Sequence, residues 1–214
     1  MHVSKLVPNK IQLTEFILGF NEFKPNEKIT LFLIEHRNST RKQQSLTVRN
    51  ALERITNCPT GDQLRFTKAG KPLWNGNLEL SISHSGKLSV LLLAEKDQEC
   101  SGVDVEFISP LDVKPFLKYL HDEELKLILT NDEPGTALIL IWTRKEALLK
   151  AIGSGLTDTM NQINTCESSV EVGDKKLYLA SYIYSESSYI SIATTSRKSI
   201  TFPLLLAKNN PIDS

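Results

Sequence analysis

The sequence predicts an α+β protein built in two halves. Three observations carry that expectation. Apolar alternation with β-branched residues marks strands on both sides of the middle of the chain, and helix-like stretches lie between them. The order helix, strand hairpin, helix, strand hairpin then places a seam near GVDVE, residues 102 to 106.

Taken in order, ITLFLIEH at 29 to 36 alternates like a strand, and SLTVRNALERIT at 45 to 56 reads as a helix. From Asn57 to Leu80 the stretches NCPTGDQ and AGKPLWNGN are rich in turn residues, so this segment reads as an extended connection. LSVLLLAE at 88 to 95 and GVDVE are strands, Thr136 to Ile152 is helical, and KLYLASYIY and YISIATTS add strands. SISHSG at 81 to 86 is expected as a hydroxyl-rich turn between apolar strands, and the tail after Pro203 is expected to fray.

The chain has 214 residues, enough for one domain or two closely packed halves, with 25 basic and 25 acidic side chains. A formal charge of zero gives no general attraction to nucleic acid or anionic membrane, so any anion binding must be local. Cys58, Cys100 and Cys166 are odd in number and widely spaced, which fits neither a disulfide framework nor a thiolate zinc site. The N-terminus has no cleavable signal pattern, and no apolar run approaches the roughly 20 residues needed to span a bilayer. A cytoplasmic protein is the expectation.

In GVDVE the strand period of two sends Val103 and Val105 to one face and Asp104 and Glu106 to the other. Taken alone, such a pair is an ordinary solvated acidic face. The sharper reading is a hard-cation site for Mg²⁺, which prefers oxygen ligands and is held by one or two carboxylates plus substrate phosphates. In WTRKEALLKAIGSGL, residues 142 to 156, Trp142, Glu146, Leu149, Lys150 and Gly153 share one side of a helix, with Gly153 placed to end it in a left-handed cap. Lys145 and Glu146 sit beside an apolar stripe, where an unpaired charge is costly. A third carboxylate on this helix could face the first two. Without them, Glu146 and Lys150 make only an ordinary i,i+4 ion pair. Ser83 and His84 offer neutral and cationic donors to a phosphate, and Gly70 and Pro72 fix a tight turn around Lys71.

GKP at 70 to 72, SISHSG, GVDVE and WTRKEALLKAIGSGL occur in the order and approximate spacing of the 4'-phosphopantetheinyl transferases. More narrowly, the chain resembles the surfactin-synthetase-activating, or W/KEA, class. The resemblance implies an α+β, pseudo-dimeric fold, with an N-terminal subdomain at 1–103 contacting coenzyme A and a C-terminal subdomain at 104–214 carrying the acids and the KEA helix. It implies transfer of the 4'-phosphopantetheine arm of coenzyme A to a serine of an acyl or peptidyl carrier protein, with Mg²⁺, or Mn²⁺ in its place, as cofactor. Asp104, Glu106 and Glu146 match the metal-binding acids. Glu146 and Lys150 match the catalytic pair, Lys150 also contacting the pyrophosphate. Lys71, Ser83, His84 and Lys145 match coenzyme A contacts, and Arg37, Arg41 and Ser45 lie where the family places further 3'-phosphate contacts. A monomer is expected, since both halves lie on one chain.

The residues themselves leave two alternatives open. One is a different Mg²⁺-dependent enzyme acting on a nucleotide pyrophosphate; the other is a noncatalytic scaffold that binds coenzyme A or a carrier.

Overall fold

A computed structural model describes residues 9–10, 29–36, 40–68, 70–95, 100–109, 111–155, 159–184, 188–195 and 200–201. Arg37 and the tail after Pro203 lie outside the described residues.

The elements run β1 (Asn9–Lys10), β2 (Ile29–Glu35), α1 (Arg41–Thr56), α2 (Thr60–Gln63), β3 (Leu64–Phe66), β4 (Pro72–Trp74), β5 (Leu78–Ser85) and β6 (Leu88–Glu95). They continue with β7 (Ser101–Phe107), a 3₁₀ turn (Lys114–Tyr119), α3 (Asp122–Leu129), α4 (Pro134–Ile152), a second 3₁₀ turn (Met160–Gln162), β8 (Ser169–Val172), β9 (Lys175–Tyr184), β10 (Ser188–Thr194) and β11 (Ile200–Thr201).

Two antiparallel-centred sheets form the middle of the molecule. One has the order β11-β2-β6-β5, and the other β1-β9-β10-β7, with β8 on β9. Val103, Val105, Ile190 and Ile192 of one sheet pack against Leu31, Leu33, Val90 and Leu92 of the other. α1 covers the outer face of the first sheet through Val48, Ala51 and Leu52. Ala147, Leu148 and Ala151 of α4 cover the outer face of the second, over Leu177, Leu179 and Ala193. The result is four layers, helix, sheet, sheet, helix, with each fully buried aliphatic side chain contributing about 1.5–3 kcal/mol. Each sheet also takes a short parallel strand from the far end of the chain: β1 pairs with β9, and β11 pairs with β2.

The α+β expectation holds, and so does the face assignment in GVDVE. Several boundaries move. α1 begins four residues earlier than expected because Thr40 forms a capping box, its hydroxyl accepting from Gln43 N at 3.3 Å while Gln43 Oε1 accepts from Thr40 N at 3.1 Å. SISHS is strand, with the turn confined to Gly86 and Lys87. Its serines satisfy themselves against β7, so their polarity does not open a loop. The segment read as a connection contains α2 and the β3–β4 hairpin. No helix among the described residues is long and apolar enough to cross a membrane.

Candidate active site

The site is built where β7, the edge of one sheet, meets β5, the edge of the other, under the C-terminal half of α4. β7 pairs with β10 through the register Asp104↔Ser191 and Glu106↔Tyr189. That pairing locks Val103 and Val105 into the inter-sheet core and turns Asp104 and Glu106 to the α4 side.

Close approach of α4 depends on Gly102. A Cβ there would collide with Ala147 O and Ala151 N and stand 3.0 Å from Lys150 C. With hydrogen in that place, the helix backbone rests on the strand. Gly153 caps the helix in the left-handed region, φ 75° and ψ 16°, as its spacing predicts.

Lys150 thereby reaches β7 and β5 together. Its Nζ lies 2.6 Å from Asp104 Oδ1 and donates to Ser83 Oγ at 2.8 Å, while Ser83 Oγ donates to the same Asp104 oxygen at 2.7 Å. Asp104 is buried, and its Oδ2 has no hydrogen-bond partner among the described residues. Ser85 Oγ donates to Glu106 Oε2 at 2.7 Å.

Glu106 and Glu146 are half-buried. Burial raises the Glu106 carboxyl above the usual carboxylate range, opposed by the Ser85 hydrogen bond and helped by Asp104. Burial also raises Glu146, with Asp104 adding repulsion, Lys150 opposing and Glu106 adding a little more. The three acids therefore feel one another electrostatically. Among the described residues, no three His, Cys, Asp or Glu side chains converge closely enough to hold a metal ion as they stand. The oxygen donors of Asp104, Glu106 and Glu146 are nevertheless of the hard type that Mg²⁺ takes.

His84 is exposed, on the face of β5 opposite Ser83 and Ser85. Burial lowers its pKa first, then Arg41 and Lys150, while Asp104 opposes them. It therefore stands within electrostatic reach of Arg41, at the first turn of α1. Ser45 is exposed one turn further along that helix. Lys71 pairs with Glu79 Oε1 at 2.6 Å and donates to Ala151 O at 3.3 Å, a cation at the C-terminus of α4 where the helix dipole favours it.

Lys145 does not join this group, which corrects its expectation as a coenzyme A contact. It is buried at 2% exposure and 2.9 Å from Glu124 Oε2, and donates to Met160 O at 2.8 Å and Ile163 O at 2.7 Å. Consecutive helix residues point about 100° apart, so a helix that turns Glu146 to the cleft turns Lys145 into the protein. Burial lowers the Lys145 pKa and Glu124 raises it back. Glu124 also accepts from Thr165 N and Oγ1 and from His121 N. Trp142 is half-buried, edge-on to Phe116 and Tyr119 with ring centroids 4.8 Å and 5.9 Å away.

Sequence reasoning missed Ser81, Ser85, Glu124 and Arg144. Arg144 is buried, its pKa drawn down to about 10 by burial, and it donates to Thr165 O and Glu167 O at 2.6 Å and Ser181 Oγ at 2.8 Å. The period-two run Ser81, Ser83, Ser85 was a readable signal for the serines. Glu124 caps α3 locally through His121 N, but its buried partners lie 41 residues away in Thr165 and on α4, where no local pattern points.

Residues 101–197 match the sequence profile of the 4'-phosphopantetheinyl transferase superfamily. The chain is 27% identical over 160 residues to the 4'-phosphopantetheinyl transferase gsp of Aneurinibacillus migulanus, covering 72% of this chain and 66% of that protein. It is 26% identical over 173 residues to the L-aminoadipate-semialdehyde dehydrogenase-phosphopantetheinyl transferase of Schizosaccharomyces pombe, covering 63% of this chain and 67% of the other. The match thus spans about two thirds of each relative's length. Thermotoga maritima holo-[acyl-carrier-protein] synthase superimposes with a TM-score of 0.35 at 17% identity, over 44% of this chain and 61% of that one.

Proposed function

We propose that the protein moves the 4'-phosphopantetheine arm of coenzyme A to a serine of an acyl or peptidyl carrier protein, a reading supported by the match of residues 101–197 to the 4'-phosphopantetheinyl transferase superfamily. The observation that carries this reading is the meeting of Asp104, Glu106, Glu146 and Lys150 at the edge of β7, beside Ser83 of β5. Acids from one half and phosphate-binding donors from the other then share one cleft. Division at 103/104 belongs to the proposal and falls within β7.

In the proposed reaction, Glu146 takes the proton of the carrier serine. A carboxyl raised above its usual range is a stronger base than an exposed one, and such a group typically contributes about 10² to 10⁴-fold. The serine oxygen forms a bond to the phosphorus of phosphopantetheine. The bond from that phosphorus to the pyrophosphate bridge breaks, and its electron pair leaves with adenosine 3',5'-bisphosphate. Lys150 donates to the pyrophosphate oxygens where charge grows. His84, Arg41, Ser45 and Lys71 bind the 3'-phosphate and adenosine end.

The oxygen donors of Asp104, Glu106 and Glu146 are of the type a hard divalent cation, Mg²⁺ or Mn²⁺, takes. Asp104 Oδ2 is a buried oxygen with no partner among the described residues, and burial followed by the charge of Asp104 raises the carboxyls of Glu106 and Glu146. When bound, the cation supplies charge neutralisation at the pyrophosphate. Monomeric action in the cytoplasm is part of the proposal, since one chain supplies both walls of the site.

The test is the intact mass of a carrier protein incubated with coenzyme A, Mg²⁺ and this protein. The expected result is a gain of one phosphopantetheine arm with equal release of adenosine 3',5'-bisphosphate. Bisphosphate release without a gain in carrier mass favours a pyrophosphate-cleaving enzyme. Neither product across a panel of carriers overturns the reading.

A further inference from the structure

Every second residue of β5 from Ser81 to Ser85 is a serine facing β7, and each makes a different contact. Ser81 Oγ accepts from Val103 N at 3.0 Å, a purely backbone attachment. Ser83 Oγ accepts from Lys150 Nζ at 2.8 Å, so its single proton is free to go to Asp104 Oδ1 at 2.7 Å. Ser85 Oγ accepts from Phe107 N at 3.2 Å, so its proton goes to Glu106 Oε2 at 2.7 Å. The hydroxyl directions are therefore dictated by the donors behind them.

The consequence for Asp104 is an asymmetry. Oδ1 takes both Ser83 and Lys150, while Oδ2 is buried with no partner among the described residues. Glu106 repeats half of the pattern, with Oε2 held by Ser85. A carboxylate with one oxygen fastened and the other open is oriented for a cation before the cation arrives.

We propose that Ser85 is a positioning residue for Glu106, paired with Ser83 acting on Asp104, so that the N-terminal sheet orients the ligands carried by the C-terminal one. This rests on the reading of Asp104 and Glu106 as cation ligands. Groups that orient metal ligands typically cost about 10 to 100-fold in metal affinity when removed.

Mn²⁺ binding by electron paramagnetic resonance, together with the Mg²⁺ dependence of carrier modification, tests it in the full-length protein. Ser85→Ala should weaken Mn²⁺ binding about 10-fold and raise the Mg²⁺ requirement to match, with kcat at saturating Mg²⁺ little changed. Ser85→Thr, which keeps the hydroxyl, should bind Mn²⁺ nearly as the unaltered protein does. Ser81→Ala should lower Tm and leave Mn²⁺ affinity alone, because Ser81 touches no carboxylate. Unchanged Mn²⁺ affinity in Ser85→Ala, or an equal loss in Ser81→Ala, overturns the inference while the cation reading stands. If the unaltered protein binds no Mn²⁺, or Asp104→Ala binds it equally well, the cation reading itself has failed and takes the inference with it.

Discussion

Replacing Gly102 with alanine puts one methyl group between β7 and the backbone of α4. The obstacles are Ala147 O, Ala151 N and, at 3.0 Å, Lys150 C. All are main-chain atoms of a helix, so no side-chain rotation relieves the clash. Carbon atoms rest at about 3.5–4.0 Å, so α4 must retreat by about 1 Å. Overpacking of this kind costs about 1–3 kcal/mol, and at ~2–4 °C per kcal/mol for a chain this size Tm should fall by about 2–12 °C. The functional loss should be larger. Lys150 rides on the displaced turn and holds Asp104 Oδ1 at 2.6 Å, and a misplacement of about 1 Å in a reacting group is worth ~10²-fold in rate. Single-turnover transfer to a carrier protein, well below Tm, measures the second effect and thermal melting the first. Gly61→Ala is the control, since an added Cβ there meets nothing within 4 Å and Tm should hold. Gly102→Ala with unchanged Tm would show that α4 does not rest on the strand. Lowered Tm with an unchanged rate would show that its seating does not set the site.

Lys145→Met should cost about 3–5 kcal/mol in denaturant unfolding, because Glu124 is left charged and buried, and the double variant Lys145→Met, Glu124→Gln, which removes the charge and keeps an acceptor for Thr165, should recover part of it. A stable Lys145→Met protein with a raised KM for coenzyme A would restore Lys145 as a substrate contact. Glu146→Gln should slow transfer in a way that added Mg²⁺ does not repair. In the unaltered protein the rate should fall on acidification at a pH above the usual carboxylate range, since burial and Asp104 raise Glu146, and that limb should change in the Gln variant. The same raised pKa means the ionised group opposes folding, its stabilising contribution being present at low pH and lost as pH rises. Glu146→Gln should therefore raise Tm at neutral pH, and a fall would refute the electrostatic account. His84→Ala and Lys71→Ala should raise the KM for coenzyme A more than they lower kcat, and dephospho-coenzyme A should be less affected. Equal losses for both substrates would remove the 3'-phosphate assignment.

Much of this site was readable because its chemistry sits on short periods. Alternation in GVDVE was enough to separate Val103 and Val105 from Asp104 and Glu106, since a strand has only two faces. Spacings of three and four put Glu146, Lys150 and Gly153 on one side of α4 for the same kind of reason. Lys145 departs from its expected place because periodicity says which face a residue takes but not what waits there. Its partner Glu124 comes from α3, in a stretch without a recognisable pattern. SISHS reads as a turn because serine favours turns when its hydroxyl bonds locally. Here those hydroxyls bond across to β7, and β5 stays extended. The capping box at Thr40 is present in the letters, as threonine followed three residues later by glutamine.

The reciprocal pairing of β1 with β9 and β11 with β2 has a mechanical side. Cutting the chain at the midpoint would not release two self-sufficient pieces, since each fragment would carry away an edge strand that belongs to the other's sheet. Two such fragments, expressed separately, should reassemble by exchanging these strands, like a pair of hands each holding the other's wrist.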